Sequence, residues 1–224
     1  AGSVNVRRLT RALAAAAARR GALVLEHIPA LGVATSGNLA TGVRLAGVTL
    51  PAAQVVLAAG AWTARFGLEL GQPLPTVPVK GQMLALGGLV HPPRTIIGGA
   101  GGYLVPWTDG TVGVAATEEE AGFDTRVTPA GLRALVGLIE ALAPGLMGGE
   151  VVATWAGLRP GTPDREPIVG LVPGYDNLWV ASGHFRTGVQ LAIGTAEVLV
   201  ASLLSGVPDP LLTPLSPARF ARAE

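Results

Sequence analysis

The sequence predicts an α/β fold with an added α+β portion, and three observations carry that prediction. VVLAAG (Val55 to Gly60) is a short continuous apolar run ending in glycine, the pattern of a strand buried on both faces of a parallel or mixed sheet. A hairpin pattern precedes it, with turn residues Ser36-Gly37-Asn38 and a second turn near Gly47, which requires an antiparallel stretch. Downstream, a helix capped by Thr128, with Pro129 at its first position and Pro144 at its end, interrupts a series of strand-like segments. Strands and helices in mixed order point to this class rather than to a bundle or a sandwich.

The remaining elements come in chain order. Asn5 caps an opening helix in which Val6, Leu9, Leu13 and Ala16 recur at helical spacing and Gly21 stands at the left-handed C-cap position. LVLEH (Leu23 to His27) reads as a strand. Leu74 to Pro78 holds two prolines in five residues, with Pro73 directly before them, the texture of a crossing between domains. Strand-like segments then occupy Gln82 to Leu86, Tyr103 to Val105 and Thr111 to Ala115, and, after the Thr128 helix, Val151 to Trp155. Leu178 to Ala181 gives a last strand, with the loop SGHFRTG (Ser182 to Gly188) after it. The next helix, Val189 to Leu204, is apolar almost all round. It is short for a membrane span and carries Gln190 and Glu197, so it reads as a buried helix.

Composition narrows the function classes. The 224 residues are 49% hydrophobic and 14% charged, enough to build a sizeable core and too apolar for a disordered chain. The net charge is +1, with no basic run longer than Arg7-Arg8 or Arg19-Arg20, so nucleic acid is not an expected partner. Cysteine is absent, which excludes a disulfide framework, a thiolate metal site and a thioether link to a cofactor. The first residues show no signal peptide, and the expectation is a soluble cytoplasmic protein without a membrane span.

Three segments offer chemistry. WAGLRPGTPDREPIVG (Trp155 to Gly170) sets Arg159 between two glycines, with Pro160 and Pro163 stiffening the turn after it. A rigid turn of this kind suits bidentate recognition of a carboxylate, and the alternative is an arginine that staples the loop through backbone carbonyls. SGHFRTGVQLAIGTA (Ser182 to Ala196) runs from a strand through a glycine-bracketed loop into a helix, whose N-terminus favours an electron-rich or anionic group. The alternative there is an ordinary connection with His184 as a packing histidine. Tyr103 is one of two tyrosines, and strand tyrosines most often pack with the hydroxyl tied off. Glu118-Glu119-Glu120 reads as a solvated run, and His27 and His91 lack ligand spacing, so no metal site is expected. The sequence contains no GxSxG, GxxxxGK[ST], HExxH or GxGxxG.

Together these segments resemble the D-amino-acid oxidase and glycine oxidase family of flavoproteins, most of all the bacterial glycine oxidases of thiamine biosynthesis. The matching pieces, in the family's order, are VNVRRLTRAL at Val4, VVLAAGAWT at Val55, PVKGQML at Pro78, YLVPWTDGTVGVAATEEEAGFD at Tyr103, WAGLRPGTPD at Trp155 and GHFRTG at Gly183. The resemblance implies part of an FAD-binding domain of dinucleotide type together with a substrate domain on a large mixed, mainly antiparallel sheet. Residues 1–72 and 156–224 would belong to the first and 73–155 to the second. It makes Arg159 the clamp for the substrate carboxylate, Tyr103 a hydroxyl that helps hold the substrate, and Arg186 a second arginine nearby. It also makes His184, Phe185, Arg186, Thr187, Gly188, Val189 and Gln190 the backbone that reaches the flavin ring, and Ala30 a contact to the adenine portion.

The implied activity is oxidative deamination of glycine or another small amino acid or amine. Hydride passes from the substrate α-carbon to non-covalent FAD, water hydrolyses the imine, and O2 reoxidises the flavin to give hydrogen peroxide. No acid or base residue is implied. Partners would be the small substrate and O2, with a homo-oligomer possible. Gly101 stands where some glycine oxidases carry histidine, and Glu118 where an apolar residue can occur. Family members open with a strand, GxGxxG and a helix that cradle the pyrophosphate, and this chain starts at the segment that normally comes after them. The rival readings are a non-catalytic fragment acting as a structural or interaction module, and a flavoprotein like the sarcosine oxidases or dehydrogenases.

Overall fold

The computed structural model describes residues 2–221. The chain divides into two compact units, one built from Ala1–Thr10 and Pro78–Leu158 and the other from Arg11–Val77 and Arg159–Glu224. The first helix, α1 (Val6–Arg19), begins where expected: Asn5 Oδ1 accepts the Arg8 N–H at 3.0 Å, and Gly21 is left-handed with φ 92°.

The first unit is a five-stranded sheet under one helix. Its strands are β5 (Val77–Gly87), β6 (Ile97–Gly99), β7 (Gly102–Pro106), β8 (Val112–Ala115) and β9 (Glu150–Gly161), in the order β6-β7-β8-β5-β9. The pairs β6–β7, β7–β8 and β8–β5 are antiparallel. Helix α3 (Pro129–Leu142) starts at Thr128, whose hydroxyl accepts the Gly131 N–H at 3.2 Å, and Pro129 pre-sets its first φ. Leu135, Leu138 and Ile139 of α3 pack on Leu84, Leu86, Leu104, Val112 and Val114, the alternate side chains of three adjacent strands. Each such leucine, fully buried, stabilises by roughly 1.5–3 kcal/mol.

The other strand positions, among them Tyr103, Ala115 and Gly113, therefore look away from α3. That second face carries an aromatic stack. A Cβ on Gly113 would stand 2.6 Å from the Trp107 ring, Trp107 and Trp155 have centroids 6.1 Å apart, and the Arg7 guanidinium lies 5.9 Å from the Trp155 centroid.

The glutamate run departs from expectation. Glu118 and Glu120 keep more contact with solvent, but Glu119 turns inward. It accepts Gln82 Nε2 at 2.8 Å, accepts the Thr117 hydroxyl, and pairs with buried Lys80 at 3.6 Å, while the Lys80 and Glu119 backbones exchange two hydrogen bonds. Those donors hold its carboxyl below the ordinary value against the opposing effect of burial, which is the largest single influence on it. A bridge to β5 decides which of three identical side chains faces in, and nothing local in the sequence marks it. Gln82, fully buried, also accepts the Thr128 N–H at 2.8 Å and so ties this network to the start of α3.

The second unit contains two three-stranded sheets. One is the meander β1 (Gly32–Ser36), β2 (Leu39–Leu45), β3 (Val48–Pro51), with turns at Gly37-Asn38 and Ala46-Gly47. The other orders β10 (Ile168–Leu171), β11 (Leu178–Ser182) and β4 (Val55–Leu57), antiparallel for β10–β11 and parallel for β11–β4. Helix α2 (Thr63–Leu70), ended by left-handed Gly71, is an addition to the elements expected from the sequence. Val33, Ala40, Val55, Leu57, Leu74, Ile168, Val172, Leu178 and Val180 form one core across both sheets. Buried Asn177 fastens them: its amide donates to Ala40 O at 2.8 Å and Ala53 O at 2.7 Å, and its oxygen accepts the Ala40 N–H at 2.7 Å.

Three expectations fail in this unit. Leu23 to His27 is not a strand. No described segment pairs with it, Leu23 is 81% exposed, and His27 turns left-handed at φ 60°. Apolar β-formers make a strand only where a ladder partner lies alongside. The run Val55 to Gly60 is parallel to β11 as expected, yet it is not buried on both faces, because β4 is an edge strand and Val56 is exposed. Helix α4 (Gly188–Ser205) is not buried either: only Leu199 and Ser202 are, and 11% of its apolar window is covered. One stripe packs on Val169, Trp179 and Leu212, and no described element lies over Val189, Leu191, Ile193 or Leu204. By length and composition α4 could cross a membrane.

Asn177→Ala strands three backbone groups in the core. It is expected to destabilise the fold by roughly 2–4 kcal/mol, read as a lower urea midpoint at unchanged slope.

Candidate functional site

The site begins with the parallel pair. Strands β4 and β11 run in the same direction, so the chain leaves both at the same end, and in α/β sheets that carboxyl end is where ligands bind. After β4 the chain turns at Gly60 (φ 54°) into a 3-10 turn (Gly60–Trp62) and α2. After β11 it turns at Gly183 (φ 75°) into the loop that leads to α4. Buried Ser182 locks the two exits together: its hydroxyl donates to Gly60 O at 2.9 Å and accepts the hydroxyl of buried Thr63 at 2.9 Å.

The loop itself is tightly made. Both the N–H and the hydroxyl of Thr187 donate to His184 O at 2.9 Å, closing a turn around Phe185, which holds φ 47°, a left-handed value uncommon outside glycine. Helix α4 then starts at Gly188 without a side-chain cap. Its first N–H groups, those of Gly188, Val189 and Gln190, precede the first helical bond, Leu191 N–H to Thr187 O at 3.0 Å. They point out of the helix with its partial positive charge behind them.

Arg159 enters from β9. It sits on the strand rather than in the rigid turn its glycines imply, since β9 is an edge strand and an edge accommodates Pro160 without loss of a ladder bond. Arg159 is half-buried, and the next residue touches the loop: the Phe185 N–H donates to Pro160 O at 3.0 Å. A Cβ on Gly183 would stand 2.6 Å from the Thr162 methyl, so only glycine lets the loop lie this close to the end of β9. The staple of the turn after β9 is Arg219, which binds Asp164 at 2.7 Å and Glu166 O at 3.0 Å. Arg219 holds the Asp164 carboxyl down at about 2. No sequence signal pairs residues 55 positions apart. The Thr63–Ser182 bond is at least hinted at by small polar residues beside two glycine turns.

The structure also places the other expected site residues. Arg186 is exposed, its guanidinium 5.5 Å from the Phe185 ring centroid. His184 packs: its Nε2 lies 3.0 Å from Thr195 Oγ1 of α4, and burial holds its pKa below the ordinary value. Ala30 is exposed, just before β1. Tyr103 belongs to the first unit, where it pairs with Gly98 and Ala115 and is 44% exposed rather than packed away.

The loop thus leaves a left-handed glycine at the end of a parallel pair and leads into the uncapped start of a helix, a setting that favours an electron-rich group. The family model for FAD dependent oxidoreductases (DAO) matches residues 1–202. The chain belongs to this family. It is 39% identical to a glycine oxidase of Pseudomonas putida over 217 residues, 96% of this chain and 59% of that protein. It is 36% identical to a bifunctional protein ThiO/ThiG of Synechocystis, over 98% of this chain and 33% of that one. Among solved structures, glycine oxidase from Geobacillus kaustophilus superposes with a TM-score of 0.85 at 33% identity, covering 96% of this chain and 58% of that one. The chain thus spans about three-fifths of the length of the glycine oxidases it matches.

FAD is the family's cofactor, and the residues fit one end of it. Gly183 brings backbone into close approach, Phe185 is held left-handed, and the open N–H groups at the start of α4 suit the electron-rich pyrimidine edge of a flavin ring. A glycine-rich pyrophosphate cradle is not among these residues, as the sequence holds no GxGxxG.

Two outcomes are expected. Gly183→Ala adds a methyl against Thr162 at a positive φ and is expected to cost about 1–3 kcal/mol, read as a lower melting temperature. His184 has a folded pKa below its unfolded value of about 6.5, so the unfolded chain binds more protons once pH falls through that value. Stability is therefore full above about pH 7 and declines as pH falls towards 5. His184→Gln is expected to flatten that slope in melting temperatures measured from about pH 5 to pH 8.

Proposed function

We propose that this chain supplies the flavin-ring contact and the substrate-binding residues of an FAD-dependent oxidase acting on glycine or another small amino acid or amine. The observation that carries the reading is the Ser182–Gly188 loop, fixed at the shared exit of β4 and β11 and continuing into the uncapped start of α4. Bound FAD would supply the redox chemistry: two-electron oxidation of the substrate to an imine at the expense of O2, which becomes hydrogen peroxide, with water hydrolysing the imine to the 2-oxo acid and ammonia.

The chain's own residues bind and orient. Arg159 offers a planar fork to a carboxylate, and its position on a strand limits the entropy lost on binding. Tyr103 offers an exposed phenol from a sheet strand, and Arg186 adds a cation beside the loop. The backbone from His184 to Gln190 would hold the flavin ring, since the uncapped start of α4 favours an electron-rich or negatively charged group. Ala30 is assigned to the adenine portion on the family likeness. Within that assignment, residues 1–72 and 156–224 serve the cofactor and 73–155 the substrate. A place in thiamine biosynthesis is proposed on the likeness to the bifunctional ThiO/ThiG protein, and a cytoplasmic location is proposed with it.

Absorbance and peroxide assays test this directly. Purified protein supplied with FAD is expected to turn yellow and release peroxide when glycine or sarcosine is added. A colourless, inert preparation would instead favour a purely structural module. In the flavin-loaded protein, Arg159→Ala is expected to raise KM for a carboxylate substrate by about 30-fold or more, from the roughly 2–5 kcal/mol lost on truncating one partner of a desolvated charge pair. An unchanged KM would remove Arg159 from the clamp role.

A further inference from the structure

Arg219 lies in the last 3-10 turn, Pro217–Phe220, and no part of the proposed chemistry uses it. Yet its guanidinium is saturated. Nε donates to Asp164 Oδ2 at 2.7 Å. Nη1 donates to Leu215 O at 2.7 Å and Ser216 O at 3.2 Å, and Nη2 to Asp164 Oδ1 at 3.3 Å and Glu166 O at 3.0 Å. Five donors meet five acceptors, the full capacity of the side chain. Two of those acceptors are carbonyls of the C-terminal turns, and the other three belong to the turn after β9. Arg219 therefore joins two segments far apart in sequence, with its guanidinium centre also 4.3 Å from the Phe220 ring centroid.

The connection continues inward. Glu166 O, held by Arg219, also accepts the Thr162 hydroxyl at 2.8 Å. Threonine is β-branched, so fixing the hydroxyl fixes the methyl. That methyl faces Gly183, where an added Cβ would come within 2.6 Å of it. Two residues on, the Phe185 N–H is bound to Pro160 O, which belongs to the same stretch of chain. An unbroken series of contacts thus runs from Arg219 through Glu166 and Thr162 to the hinge glycine of the loop.

We propose that Arg219 is a positioning residue for the Ser182–Gly188 loop, acting through the turn Thr162–Glu166 rather than by touching any ligand. Its functional meaning rests on the reading of that loop as the flavin contact, while the mechanical coupling does not. Lysine cannot replace it, since an ammonium offers three donors from one point and cannot span Asp164 and two backbone stretches in one plane.

Amide hydrogen exchange on the whole chain tests the coupling. Arg219→Ala and Arg219→Lys are each expected to speed exchange at residues 183–187 by about tenfold or more, and Thr162→Val, which keeps the shape and removes the hydroxyl, to do the same. Asn177→Ala serves as the control: it destabilises the same unit but is expected to speed exchange in β1 and β2 rather than in the loop. Faster exchange confined to residues 210–220 in the Arg219 variants, with the loop within about twofold of wild type, would overturn the proposal and leave Arg219 a fastener of the C-terminal turns. FAD titration of the wild-type protein, monitored by visible absorbance, separates the two claims. Failure to bind FAD counts against the functional reading and leaves the exchange result to decide the coupling.

Discussion

The parallel pairing of β4 with β11 is the constraint on which the site depends. Segments more than 120 residues apart become neighbours through three paired positions, Leu178 with Val55, Trp179 with Val56 and Val180 with Leu57. Parallel strands release their chains at the same end, and here each exit is a left-handed glycine leading into a helix. The Ser182 hydroxyl, bound to Gly60 O and Thr63, keeps the exits in register. Without that pairing the loop after β11 would be an ordinary connection. With it, the loop and the start of α4 leave from the carboxyl end of a sheet packed on an apolar core.

Around that pair the second unit is organised by polar groups that are fully hydrogen-bonded, buried at Asn177 and Ser182 and part-buried at Arg219. Asn177 ties the β1–β3 meander to the strands, Ser182 ties the exits, and Arg219 ties the turn after β9 to the 3-10 turns around Leu215 and Ser216. No buried side-chain donor or acceptor is left unmet among the described residues. This matters for a ligand site, because polar groups with a single satisfied arrangement specify one backbone position where apolar packing alone would tolerate several. The first unit uses the same device in the Lys80–Glu119–Gln82 network at the start of α3, on the sheet whose opposite face carries Tyr103.

The fold is legible in the sequence where the signal is local. Caps at Asn5 and Thr128, the Gly37-Asn38 hairpin, the apolar run at Val55 and the glycine-bracketed loop all report nearby backbone geometry, and each lies where its residues indicate. The signal fails where a segment's fate depends on a distant neighbour. Leu23 to His27 has strand-forming residues but no ladder beside it among the described residues. Helix α4 is apolar on almost all sides, and what covers it is not written in its composition. Glu119 is chosen from a run of three by a bridge to Lys80, and Arg219 meets Asp164 across 55 residues. The site residues divide in the same way. The loop is visible as a motif and the Thr63–Ser182 bond is hinted at beside its glycine turns, whereas the contacts from Pro160 and Thr162 are not visible.

The central claim is that residues 183–190 form the contact surface for the flavin ring. Amide exchange of the whole chain with and without saturating FAD measures this most directly. The account predicts protection at 183–190, strongest at the first N–H groups of α4, with little change in the β1–β3 meander beyond Ala30. FAD binding that leaves 183–190 unprotected would contradict it.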